Sequence, residues 1–229
     1  MRALIAILII LNLVFSLSLS AQTKQKTKKK TLPKQTIQQP AKAITPIESL
    51  PIMTLLPGQG IKLVSVTNGQ GKYLDSIITS KGLLVIFISN NCDYVEKASE
   101  HWQSMIKYAK EIGLGYALIN THIANDTMNT PLKMENYAIQ HSIRYDYFSD
   151  EGALLARLFK VSYLPQVFLF NSDKKLYYSG PIEDNPSEPR LSQKIFIKDA
   201  IDAMTSSTIL PMPLLLFNKP GCDFDPGKQ

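Results

Sequence analysis

Between Gly82 and Trp102 the chain reads GLLVIFISNNCDYVEKASEHW, and this stretch restricts the fold more than any other. Leu83 to Ile88 are uninterruptedly apolar and rich in β-branched and aromatic side chains. A strand of that composition has no face to turn to water, so it belongs at the centre of a parallel sheet covered on both sides. A polar turn, Ser89 to Asn91, follows it. From Asp93 the period becomes helical: Val95, Ala98, Trp102, Met105, Ala109 and Ile112 recur three and four apart, and Gly113 ends the run. Cys92, one of only two cysteines in the chain, stands where the strand gives way to the helix.

The remaining elements fall in place around that unit. GIKLVSVTNGQGKYL alternates apolar and polar residues from Ile61 to Val66 and then turns at Asn68, Gly69 and Gly71, which predicts a hairpin ahead of the main sheet. LGYALINT is a second buried strand. PLKMENYAIQHS opens a helix at Pro131, with Leu132, Tyr137 and Ala138 on its apolar side. RYDYFSD adds a short strand before the helix EGALLARLFKV. PQVFLFNSDKKLYYSG is a hairpin that turns at Asn171 to Lys174. RLSQKIFIKDAIDAMTSS is a last helix, with Ile195, Ile197, Ala200, Ile201 and Met204 facing inward. Parallel crossovers followed by an antiparallel hairpin predict an α/β sandwich on a mixed sheet.

The ends differ from this domain. Arg2 and an apolar run from Ala3 to Phe15, followed by small residues, read as a secretory signal over 1–21 cleaved near Ser20 to Gln22. The export this implies is to the periplasm or the extracellular space; an uncleaved signal serving as a membrane anchor is the alternative. Residues 22–44, rich in Lys, Gln, Thr and Pro, read as a disordered linker that either spaces the domain or makes loose contact with an anionic surface. The domain itself spans 45–207, and 208–229 is an extended Pro-rich tail carrying Cys222. Eight of the 25 basic residues precede residue 45, leaving 17 against 19 acids, so the net charge of +6 implies no nucleic-acid face on the domain.

No cofactor or metal is expected. His101, His122 and His141 have no ligand spacing with one another or with either cysteine, and Asp223 and Asp225 are too few for a cation loop. No phosphate loop, Ser-His-Asp order or pair of catalytic carboxylates can be picked out, and Asn125 is a glycosylation acceptor only in a eukaryotic secretory path. The chemistry therefore rests on sulfur. Cys92 reads as a reactive thiol, as half of a disulfide, or as the remnant of a lost pair. Within the chain only Cys222 can be its partner.

The order of elements, a cysteine at a strand-to-helix junction and a proline opening the later strand in VSYLPQVFLF resemble the thioredoxin fold. The closest resemblance is to a secreted redoxin branch of the alkyl hydroperoxide reductase/thiol-specific antioxidant superfamily, which typically carries Cys-Asn-His-Cys-Pro-Tyr-Val at this junction. Here the residues are Ser89-Asn90-Asn91-Cys92-Asp93-Tyr94-Val95. SDEGALLARLFKVSYLPQVFLFNSDKKLYYSGPIEDN and TILPMPLLLFNKPGCDF follow the branch's later segments, including a closing Gly-Cys pair, so the resemblance covers Ile61 to Phe224. It implies a three-layer thioredoxin-like sandwich, a cis bond before Pro165, and an edge at Leu164 and Pro165 that offers its backbone to an extended partner.

Ser89 stands in the place of the family's first cysteine. A serine hydroxyl cannot attack or form an exchangeable bond to sulfur, so ordinary dithiol exchange at the motif is excluded. Two readings follow. In one, Cys92 is the nucleophile of a thiol oxidoreductase or antioxidant, with Ser89 its hydrogen-bond partner, Cys222 the resolving thiol, and a disulfide-bearing protein or a peroxide as substrate. In the other the chain is a catalytically silent binding or structural module of the cell envelope.

Overall fold

The protein, seen as a computed structural model, is described over residues 49–123, 126–208, 221–225 and 227. These all fall in one compact unit, Thr45–Gln229. The expected signal (1–21) and linker (22–44) lie outside the described residues, as do Asn125 and residues 209–220 of the tail.

The apolar run becomes β3 (Leu83–Ile88), buried at every position. It pairs parallel with β4 (Gly115–His122) and antiparallel with β7 (Gln166–Phe170). Around them the seven-stranded mixed sheet runs β2-β1-β5-β4-β3-β7-β8, with β5 at Tyr147–Glu151 and β8 at Leu176–Gly180. The expected N-terminal hairpin, β1 (Lys62–Ser65) and β2 (Gly71–Tyr73), forms and belongs to this sheet. Val64 and Ser65 pair antiparallel with Ser149 and Phe148, which makes the hairpin one wing of the sheet.

Among the described residues six helices accompany it: α1 (Leu74–Ile77), α2 (Asp93–Lys97), α3 (Ser99–Ile112), α4 (Pro131–Gln140), α5 (Leu154–Leu158) and α6 (Phe196–Thr205). The single helix expected from Asp93 is two, broken at Ala98. Trp102 explains the break. Its indole Nε1 donates to the Val95 carbonyl at 3.1 Å, the group that a continuous helix would bond to residue 99. Trp102 is itself fully buried, as expected of a core residue. Gly113, at φ +76°, closes α3 in the left-handed conformation.

Two other expectations need correction. On α4 the buried residues are Met134, Tyr137 and Ala138, while Leu132 is 67% exposed. The last helix starts at Phe196, not Arg190; Pro189–Leu191 form a 3-10 turn, and Ile195 and Met204 are only partly buried. Polar bonds hold the intervening loop open, with Gln193 N donating to Asp184 Oδ1 and Asp184 N to the Lys194 carbonyl. The core centres on Phe87, Phe159, Phe168 and Phe170, packed edge to face. No described helix is long and apolar enough to cross a membrane.

Candidate redox site at the β3–α2 junction

β3 ends in the turn Ser89 to Asn91, and Cys92 follows as the N-cap residue of α2, in extended conformation at φ −131°. Its carbonyl accepts the first helical bonds from Val95 N and Glu96 N, at 3.0 and 3.2 Å. The side chain is 5% exposed and packs among core residues.

Cys92 is bonded to Cys222, across a Cα–Cα distance of 6.0 Å and 130 residues of sequence. The one pairing available within the chain is thus the one observed. Cys222 reaches the site because the tail adds a strand: β9 (Cys222–Asp223) pairs antiparallel with β6 (Tyr163–Leu164), with Leu164 opposite Cys222 and Tyr163 opposite Asp223. Phe224 N continues the ladder, donating to the Ser162 carbonyl at 2.9 Å. The Leu164–Pro165 bond that follows β6 is cis, as the resemblance implied. The Leu164 carbonyl lies 3.3 Å from Cys92 Sγ; a disulfide sulfur has no proton to give, but a Cys92 thiol would donate to it.

Gly221 governs how closely the tail can approach. A Cβ placed there would lie 2.2 Å from the Leu164 carbonyl oxygen, inside any real contact distance. The tail therefore lies closer to β6 than a side-chain-bearing residue allows. Beside it a cleft of about 340 Å³ is lined by Ser89, Asn91, Cys92, Thr121, Leu164 and Phe224 among others. Cys222 is partly exposed in this cleft. The disulfide is thus at the rim of the domain, with its Cys92 end set into the core.

A buried polar cluster holds the turn before Cys92. Asn129, fully buried, accepts from Asn90 N at 2.8 Å and Asn120 Nδ2 at 2.9 Å, and donates to Ser89 Oγ at 2.9 Å and Asp126 Oδ2 at 2.6 Å. Ser89 Oγ also accepts from Asn91 N at 3.3 Å. Tyr147 Oη donates to Asn90 Oδ1 and accepts from Asn120 Nδ2, both at 2.7 Å. Burial pushes the Tyr147 phenol well above its ordinary value, so it remains a neutral donor.

The structure therefore brings together Cys92, Cys222, Ser89, Leu164 and Pro165, with Ser89 engaged by Asn129 and Asn91. Asn129, Asn120, Tyr147 and Phe224 join the site without a sequence signal, because each arrives from a separate element. Gly221 had one, its place directly before Cys222. Two of the histidines are elsewhere: His101 Nδ1 lies 2.8 Å from Glu183 and His141 Nε2 lies 3.3 Å from Glu96. His122 is buried at the end of β4, between the cleft residues Thr121 and Ile123, and no metal-ligating cluster occurs among the described residues.

No protein-family model and no curated protein matches the sequence. Solved structures do. A conserved uncharacterised protein from Geobacillus kaustophilus is 22% identical, with a TM-score of 0.65, over 76% of this chain and 90% of its own. A hypothetical protein from Sinorhizobium meliloti 1021 is 21% identical, with a TM-score of 0.60, over 77% and 94%. A protein provisionally assigned as the thiol:disulfide interchange protein DsbE of Chlorobium tepidum is 14% identical, with a TM-score of 0.50, over 69% and 98%. At these identities the likeness is one of fold, and the fold is thioredoxin-like: a central mixed sheet flanked by helices.

Proposed function

We propose that the chain is an exported thiol–disulfide redox protein whose working pair is Cys92 and Cys222. One observation carries this reading: the disulfide joins the N-cap residue of the strand-to-helix junction to a partly exposed cysteine, on a short strand at the rim of an open cleft. The export signal in residues 1–21 supports a compartment where such a bond persists.

In the reduced protein Cys92 thiolate attacks one sulfur of a partner's disulfide. A bond forms between Cys92 Sγ and that sulfur, and the partner's other sulfur leaves as thiolate and takes up a proton. Cys222 thiolate then attacks Cys92 Sγ as the tail pairs again with β6. The Cys92–Cys222 bond forms, and the partner's second sulfur departs as a thiol. The partner gains two electrons and two protons, and the pair becomes the disulfide seen here. An external dithiol restores the pair by attacking the more exposed sulfur, Cys222, with Cys92 as leaving group.

Peroxide fits the same pair less well. A peroxidatic site needs a cation beside the thiolate, whereas Arg144 opens on another cleft with Thr67 and Ser142.

The test uses protein recovered from the cell envelope, whose mass should begin between Ser20 and Gln22. Reduction of a peptide disulfide by dithiothreitol is measured with wild type, Cys92→Ser and Cys222→Ser. Wild type should exceed the uncatalysed rate at least tenfold, Cys92→Ser should not, and Cys222→Ser should accumulate a mixed disulfide at Cys92. If wild type turns over no faster than the background, the bond is a staple and the chain is a silent module.

A further inference from the structure

The tail sits against β6 as an extended peptide would sit if it were added to a sheet edge. Leu164 and Tyr163 pair with Cys222 and Asp223, and Ser162 accepts from Phe224 N. Nothing in this pairing is peculiar to an intramolecular strand, since main-chain bonds read backbone and not sequence. What selects sequence is the space around it. At the residue before the cysteine, a Cβ would lie 2.2 Å from the Leu164 oxygen and 2.8 Å from the Leu164 carbonyl carbon; both are backbone atoms that cannot swing aside. Two residues after the cysteine, Phe224 is partly buried against the core and lines the cleft.

We propose that the edge of β6 beside Cys92, which the resemblance already implies for an extended partner, is selective: the redox partner's segment has glycine directly before its reacting cysteine and an aromatic residue two positions after it. The chain's own Gly221-Cys222-Asp223-Phe224 fills the groove in the oxidised state as a stand-in for that segment. This rests on the redox reading above and deepens it by naming the substrate class. The closed disulfide then also has a regulatory consequence: oxidised protein cannot take a partner, because its own tail occupies the place.

The groove is tested with the full chain carrying Gly221→Val and Cys222→Ser, in which the added Cβ keeps the tail off β6. The probes are acetyl-Pro-Gly-Cys-Asp-Phe-amide and its Ala-Cys counterpart, each as a mixed disulfide with thionitrobenzoate. Cys92 thiolate attacks the peptide sulfur, the peptide–thionitrobenzoate bond breaks, and the coloured thionitrobenzoate anion leaves. After normalisation to a free thiol, the glycine peptide should react at least tenfold faster than the alanine peptide, about 1.4 kcal/mol. Equal rates overturn the proposal while leaving the redox reading intact.

If Cys92 proves inert even to the small reagent dithiobisnitrobenzoate, the redox reading fails and the groove is judged separately. Acetyl-Pro-Gly-Ser-Asp-Phe-amide should then shift the Ser162, Tyr163 and Leu164 amide resonances of the same variant, and its alanine counterpart should not. Absence of shifts with either peptide overturns the groove. Wild type, reoxidised after reduction, should return to a monomer; dimers linked Cys92 to Cys222 between copies would assign the groove to a second tail and overturn the partner class.

Discussion

At the scale of single residues, the site depends on side chains that do no chemistry. Asn129 uses both lone-pair positions and both amide protons within the cluster, toward Asn90, Asn120, Ser89 and Asp126. Removing it leaves the Asn90 N–H unpaired away from water and takes one hydrogen bond each from Asn120 Nδ2, which keeps Tyr147 Oη, and from Ser89 Oγ, which keeps Asn91 N. The unpaired group costs ~1–3 kcal/mol, partly relieved if water enters, and each lost bond about 1 kcal/mol. Asn129→Ala is therefore expected to lower unfolding free energy by about 3 kcal/mol, read as a drop in the urea midpoint at unchanged slope. An unchanged midpoint would mean that the turn before Cys92 holds itself. None of this was legible in the sequence. Ser89, Asn90, Asn120, Asn129 and Tyr147 are spread over nearly sixty positions, and only the pairing of β3, β4 and β5 gathers them. Cys92 was legible because its position relative to a strand and a helix is local.

At the scale of elements, the same division holds. The β3 run announced itself because a strand covered on both faces must be apolar at every position. The break at Ala98 did not, since it depends on an indole four residues further on reaching back to take the Val95 carbonyl. Leu132 misled because helical spacing marks a possible inward face and cannot say that the opposing surface is missing. The β1–β2 wing is held in part by charge. Lys72 Nζ lies 2.6 Å from Asp146 Oδ2, and Asn68 Nδ2 donates to Oδ1 at 2.8 Å, joining the hairpin to the residue before β5. Burial alone would raise the Asp146 carboxyl, but these partners outweigh it and hold the group below its ordinary value. A depressed carboxylate stabilises the fold above its unfolded pKa, about 3.9, and that stabilisation is lost as pH falls through the lower folded value. Lys72 is 44% exposed, so solvent screening limits the effect to under ~1 kcal/mol. Denaturation of wild type and Asp146→Asn across the acid range should show a constant small gap near neutral pH that closes below about pH 4. A gap that stays open in acid would assign the loss to packing instead of charge.

At the scale of the whole molecule, the disulfide is the covalent cross-link between the tail and the sheet, and its contribution to stability separates a staple from a working pair. By closing a loop of 130 residues it removes chain entropy from the unfolded state, worth about 5 kcal/mol if the reduced native protein keeps both sulfurs side by side. That condition holds if the tail remains on β6 after reduction. If instead the strand leaves β6, the reduced native state regains much of the freedom that the bond removed. The relevant closure is then over the chain beyond α6, roughly a tenth of that span, and the difference falls to about 2 kcal/mol. The two-residue pairing of β6 with β9 holds a strand only weakly without the sulfur, so the smaller value is expected. Denaturant unfolding of oxidised and reduced wild type, with Cys222→Ala as a permanently open reference, measures it. Reduced wild type and Cys222→Ala should unfold together, about 2 kcal/mol below the oxidised form. A gap near 5 kcal/mol would mean that the tail stays docked without its bond, which would leave the partner no groove to enter and Cys222 no stroke to make.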